Sequence, residues 1–182
     1  MGLPKKIKQK YTYRDYLTWD DDERWEIIGG EAYNMTPAPI VSHQEIVVNF
    51  AHLLKTKLKG KSCTPFVSPI DVVLSEENVV QPDVIVVCDK QKIQKTHIAG
   101  APDLVIEVLS PSTSLRDRRE KKDLYEKFGV KEYILVDPDE KYVERYHLQK
   151  GRYGSPELFG AKDKFKSRAL KGVLFPLKEI FS

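Results

Sequence analysis

Glu107 is a carboxylate in a place where apolar residues are expected. Asp103-Leu104-Val105-Ile106-Glu107-Val108-Leu109 is apolar on both alternating faces apart from Asp103 and Glu107, so Glu107 falls in the middle of a strand that ought to be buried. Out of water, such a group must be paired, protonated or bound to a cation. A salt bridge or a sheet-edge position would satisfy it as well as a metal. Asp103 shares its face, but at about 3.3 Å per residue the two Cα atoms are roughly 13 Å apart, too far to clasp one ion. A second ligand would have to come from a neighbouring strand. Pro82-Asp83-Val84-Ile85-Val86-Val87 offers one, with Asp83 at the head of an apolar run. Read alone, Asp83 is equally a strand-start aspartate after proline. Two hard carboxylates from adjacent strands suit Mg²⁺ or Mn²⁺, which take oxygen ligands and keep waters that a phosphate can displace.

A lysine extends the set. Lys121, Leu124, Tyr125 and Phe128 recur at i, i+3, i+4 and i+7. That spacing places Lys121 on the sheet-facing stripe of a helix and leaves Lys122 off it. A lysine there either snorkels from the border of the stripe or joins the acids. Together, Asp83, Glu107 and Lys121 would supply two metal ligands and a cation that orients or deprotonates a water and stabilises charge on a phosphate.

These residues need elements to hold them. A short helix is expected over residues 12–19, and Gly29-Gly30 between Trp25-Glu26-Ile27-Ile28 and Glu31-Ala32-Tyr33-Asn34-Met35 predicts a hairpin that Pro37 and Pro39 end. Ile46, Val47, Phe50, Leu53, Leu54 and Leu58 fall at helical spacing, with Ser42-His43-Gln44-Glu45 read as a capping box and Gly60 as the stop. Three strand-like runs follow, at 63–67, 70–74 and 79–88, then a polar loop over 89–102 and the Glu107 strand. The turn Ser110-Pro111-Ser112-Thr113-Ser114 opens a helix over 115–128 that Gly129 terminates. Runs at 132–136 and 142–148 pair across Asp137-Pro138-Asp139, Lys150-Gly151 marks another hairpin, and a basic stretch spans 162–171. The order predicts an α/β domain with a mixed central sheet, over residues 11–182 behind a loose basic tail of residues 1–10.

The chain has 182 residues, 30 Lys and Arg against 27 Asp and Glu, and a net charge of +3, which permits a nucleic-acid partner without demanding one. Cys63 and Cys88 lie in separate apolar segments and read as small buried hydrophobes, with neither a disulfide framework nor a thiolate zinc site expected. No leader or membrane-spanning run is visible, which points to a soluble, cytoplasmic protein. There is no phosphate loop, GxSxG elbow or HExxH, and His43, His52, His97 and His147 lack ligand spacing.

Pro82-Asp83, Glu107-Val108-Leu109, Arg116-Asp117, Glu120-Lys121 before Leu124-Tyr125, Gly129-Val130, Glu132-Tyr133 and Val136-Asp137-Pro138 resemble the Uma-type restriction endonucleases, a branch of the PD-(D/E)xK nuclease superfamily. The likeness runs from about Glu26 to Asp137 and includes the 25–31 hairpin and the Ser42-His43 helix start. It implies a restriction-endonuclease-like αβββαβ core, here with an N-terminal hairpin and a C-terminal antiparallel annex. It also implies a Mg²⁺ or Mn²⁺ phosphodiesterase site. Asp83 is similar to the motif aspartate and Glu107 to the motif glutamate, with the Val108 carbonyl as a third ligand. Leu109 stands where the superfamily usually has its lysine, and Lys121 occupies the matching place in the following helix. Glu31 and His43 match other recurrent positions, as auxiliaries whose role the residues do not define. The implied reaction is hydrolysis of nucleic acid, with DNA the expected substrate, by a homodimer, since double-strand cutting needs two sites. Arg116, Arg118, Arg119 and Lys122 would neutralise backbone phosphates. Lys55, Lys57, Lys59 and Lys61 would either do the same or simply suit a helix C-terminus. The alternative, which Leu109 favours, is a nucleic-acid-binding module on a nuclease fold that no longer cuts.

Overall fold

The computed structural model describes residues 9–19, 23–35, 40–111 and 113–182, so the expectations for residues 1–8, for Pro37 and Pro39, and for Ser112 lie outside it. In chain order the helices are α1 (Tyr13–Tyr16), α2 (Val41–Lys57), α3 (Ser114–Arg116), α4 (Lys122–Phe128) and α5 (Leu177–Ile180), with a π-helical turn over Asp117–Lys121 joining α3 to α4. The strands are β1 (Trp25–Ile28), β2 (Glu31–Asn34), β3 (Thr64–Val67), β4 (Asp71–Ser75), β5 (Asn78–Val80), β6 (Val84–Val87) and β7 (His97–Ala99). They continue as β8 (Leu104–Val108), β9 (Glu132–Asp137), β10 (Tyr142–Gln149), β11 (Arg152–Tyr153), β12 (Glu157–Gly160), β13 (Lys164–Lys166) and β14 (Leu174–Pro176).

The central sheet runs β11-β10-β9-β8-β6-β3, with β12 on β10. It is mixed: β3, β6 and β8 are antiparallel neighbours, and β8 and β9 are parallel, joined by the helical crossover. The predicted αβββαβ core is therefore α2, β3, β6, β8, the α3–α4 crossover and β9. Both faces of this sheet are covered, which explains why its strands read as unbroken apolar runs. Val84 and Val86 of β6 and Leu104, Ile106 and Val108 of β8 pack on one side with α2 and the C-terminal annex. Ile85 and Val87, Val105 and Leu109 pack on the other side with α4 and the second sheet.

That second sheet, β2-β1-β5-β4-β7, carries the predicted hairpin. Gly29 (φ 60°) and Gly30 (φ 82°) make its turn in the left-handed region, where a side chain would be strained. Lys150 and Gly151 do the same between β10 and β11.

Several local expectations are corrected. The 79–88 run is two strands in two sheets, because Pro82 interrupts it and donates no backbone hydrogen bond. The 70–74 run becomes β4 of the second sheet, and the stretch over 89–102, read as a polar loop, contains β7, parallel to β4. No capping box opens α2: its N-cap is Ile40, without a side-chain hydrogen bond, and Glu45 is exposed. A capping box does open α1, between Thr12 and Asp15. Lys10, expected in the tail, makes a 2.9 Å ion pair with Glu77. Cys63 and Cys88 are disulfide-bonded. Their pairing follows from register, since Thr64 opposes Val87 in the antiparallel β3–β6 pair and the next step places Cys63 opposite Cys88.

Candidate functional site

Register also brings the two acids together. Val84 opposes Ile106 in the antiparallel β6–β8 pair, so one step beyond it Asp83 faces Glu107 across the strands. Like charges so placed destabilise a sheet, which makes the pair a candidate for function. The two residues also hold each other. Asp83 Oδ2 accepts the Val108 N–H at 2.8 Å, and Glu107 Oε2 faces the Asp83 N–H at 3.4 Å.

Glu107 points to the same side as Val105 and Leu109, where the crossover helix supplies Lys121. Its Oε1 accepts from the Lys121 ammonium at 2.9 Å and from the Tyr125 hydroxyl at 2.8 Å. Lys121 is 3% exposed, so the stripe argument, not snorkelling, describes it. It is shared by two further carboxylates, Glu26 at 2.8 Å and Asp117 at 3.7 Å. The π-helical turn, a feature frequent at functional sites, sets Asp117 and Lys121 on the same buried face. Neither Glu26 nor Asp117 is among the sequence-predicted site residues. The signal that marks Glu107, an acid inside an apolar run, is equally present in Trp25-Glu26-Ile27-Ile28. Asp117 lies one turn before Lys121 on the same stripe.

Three carboxylates thus meet one ammonium, with Asp83 beside them. Burial pushes Glu107 up to about 8; Lys121 opposes that shift, while Asp117, Asp83 and Glu26 add to it. Burial works against the charge of Lys121, yet Glu107, Glu26 and Asp117 outweigh it and hold the amine well above the ordinary lysine range. Asp117 is raised by burial, with Lys121 again opposing. Burial and Glu107 raise Tyr125 well above an ordinary phenol, so it remains a donor. The surplus of buried negative charge calls for a proton or a cation. Among the described residues no three His, Cys, Asp or Glu side chains form a ready metal cage. A Mg²⁺-type ion, however, needs only one or two carboxylates and keeps its waters. The all-oxygen set of Asp83, Glu107 and the Val108 carbonyl fits such an ion in chemistry.

His43, buried near the start of α2, sets its Nε2 3.1 Å from Asp83 Oδ2, and its Nδ1 has no hydrogen-bond partner among the described residues. Asp83, Glu107, Val108, Lys121, His43 and Asp117 line a cavity of about 420 Å³, together with Arg24, Gln81 and Arg116. The remaining predicted residues separate from it. Glu31 is exposed on β2, where the Tyr33 hydroxyl donates to it at 3.2 Å, and it does not line the cavity; Glu26 is the hairpin acid that reaches Lys121. Arg118 turns to β10, bonding Glu144 and, at 3.0 Å, the Tyr142 hydroxyl. Arg119 is exposed, and Lys122 sits 3.6 Å from Asp123 and 5.9 Å from the Tyr146 ring. Asp103 lies outside the cluster, taken by Lys131 at 2.6 Å.

The fold is a mixed α/β sheet crossed by one helix, with a cross-strand pair of acids and a buried lysine beside it. The chain belongs to the Uma2 family, described as "Putative restriction endonuclease", whose profile matches residues 13–178. It is 32% identical over 142 residues, 76% of this chain and 74% of the relative, to "Uncharacterized protein slr1290" of Synechocystis sp.. Its fold is similar, with a TM-score of 0.77 at 22% identity, to a crystal structure of "a putative nuclease belonging to DUF820" from Anabaena variabilis, covering 93% of this chain and 97% of that one. Among the described residues no helix is long and apolar enough to cross a membrane.

Proposed function

We propose that this protein is a divalent-metal-dependent endonuclease acting on nucleic acid, with DNA as its substrate. The observation that carries the reading is the cross-strand pair Asp83 and Glu107, with Glu107 clamped by Lys121 and Tyr125. Asp83, Glu107 and the Val108 carbonyl would hold Mg²⁺ or Mn²⁺. When bound, that ion polarises a water for in-line attack and neutralises charge on the phosphate. The chain's own part is positioning. Lys121 keeps Glu107 oriented, His43 and the Val108 N–H hold Asp83, and Tyr125 donates a second hydrogen bond that fixes the Glu107 rotamer. Double-strand cutting needs two such sites, so the working form is a homodimer.

The test is cleavage of plasmid DNA with Mg²⁺ or Mn²⁺ by the native protein beside Asp83→Ala, Glu107→Ala and Lys121→Ala. Metal-dependent cutting lost in all three variants is the expected result; equal activity in all four proteins would remove the site. The second reading, a binding module without turnover, draws on the engagement of Lys121 with three carboxylates and on Leu109 at the usual lysine position. It predicts DNA binding with no cleavage in either metal.

A further inference from the structure

The cavity has a cationic side that the acid cluster does not use. Arg24, just before β1, and Arg116, in α3, both line it and are half-buried. Neither makes an ion pair with a described carboxylate, although carboxylates dominate the site beside them. Each is instead held by a neutral group. The Arg24 Nε donates to Gln81 Oε1 at 2.9 Å. The orientation of that amide is set from behind, because Gln81 Nε2 donates to Asp71 at 2.9 Å and to the Tyr16 hydroxyl at 3.1 Å, leaving its oxygen for the arginine. Gln81 is 7% exposed, and its N–H donates to Glu26 at 2.9 Å, so one residue ties Arg24 to the acid cluster. Arg116 lies over the Tyr33 ring, 4.1 Å from its centroid, a cation–π contact that holds the side chain without discharging it.

Two guanidinium groups oriented this way, neither paired with a carboxylate among the described residues, suit an anion that accepts in a plane. We propose that Arg24, held by Gln81, and Arg116, held by Tyr33, form a subsite for the backbone phosphates of the bound strand that flank the scissile one. The assignment rests on the nuclease reading. Arg24 and Gln81 come from the segments before β1 and β6, Tyr33 from β2 and Arg116 from the crossover, so the subsite is built from both sides of the cavity. Arg24 is a binding residue, and Gln81 acts through it as a positioning residue.

The experiment is fluorescence anisotropy of the full-length protein with a fluorescein-labelled DNA duplex, in Ca²⁺, over a series of salt concentrations. One lost phosphate contact flattens the log K against log salt slope by about 0.9, which near 0.1 M salt is about eightfold in affinity. Arg24→Ala and Arg116→Ala are each expected to show that loss. Gln81→Leu, which keeps the charge but frees the arginine, is expected to weaken binding with the slope unchanged while its urea midpoint shows the protein fully folded under the binding conditions, so that loss of folded protein does not account for the weakening. Folded Arg24→Ala protein with native affinity and native slope overturns the subsite while leaving the nuclease reading intact. Should Arg24→Ala fail to fold, Arg116→Ala decides by the same criterion. Native protein that binds no DNA removes the nucleic-acid reading and the subsite with it.

Discussion

Replacing Lys121 by Met tests the acid cluster most directly. The substitution keeps the length of the stem, and so the packing against Leu124 and Tyr125, but removes the one ammonium that Glu26, Glu107 and Asp117 share. Breaking a buried pair by deleting one partner costs about 3–5 kcal/mol, because the other charge stays buried without compensation. For a chain of this size about 1 kcal/mol moves Tm by about 2–4 °C, so the expected fall is about 6–20 °C at neutral pH without divalent ions. Glu107 bonds that amine directly, so Lys121→Met with Glu107→Gln should lose less than the two single losses combined. Urea denaturation of the native protein, both single variants and the double variant gives all four stabilities in one set of curves. A Lys121→Met stability within about 1 kcal/mol of the native value, or strict additivity in the cycle, would refute the shared-cation account.

Three further outcomes follow from the geometry. His43→Ala removes the contact at 3.1 Å that orients Asp83, and should weaken Mn²⁺ binding, read by calorimetry, by about 10–100-fold. Glu157 is held below the ordinary glutamate range by hydrogen bonds from Arg145, against burial and with help from Arg168. Its contribution is therefore present above that range and lost as pH falls through the lowered value, so the Tm gap between native protein and Glu157→Gln should be open at neutral pH and close in acid. The Cys63–Cys88 disulfide spans 25 residues, and reduction or Cys63→Ser should lower the urea-derived stability by about 3–4 kcal/mol on the chain-entropy argument; an unchanged midpoint in reductant would contradict the bond.

The local arithmetic of the chain is legible without any knowledge of the fold. An acid inside an apolar strand, a lysine on an apolar helical stripe and two glycines at a turn are each written in a few consecutive residues. Glu107, Lys121 and the 25–34 hairpin follow from them because periodicity of 2 or 3.6 is a property of neighbours. What meets what across the fold is decided elsewhere. The facing of Asp83 and Glu107, and equally the joining of Cys63 to Cys88, depends on antiparallel register, which is set by burying the apolar residues of the whole sheet. Glu26 reaches Lys121 because a second sheet packs against the crossover helix, and no spacing within β1 announces that. Arg118 shows the converse: it stands close to Arg116 in sequence, yet its place on the helical turn sends it to Glu144 of β10 instead of the cavity. The types of residue able to do chemistry are local information, whereas their convergence is long-range packing, and only the folded chain supplies it.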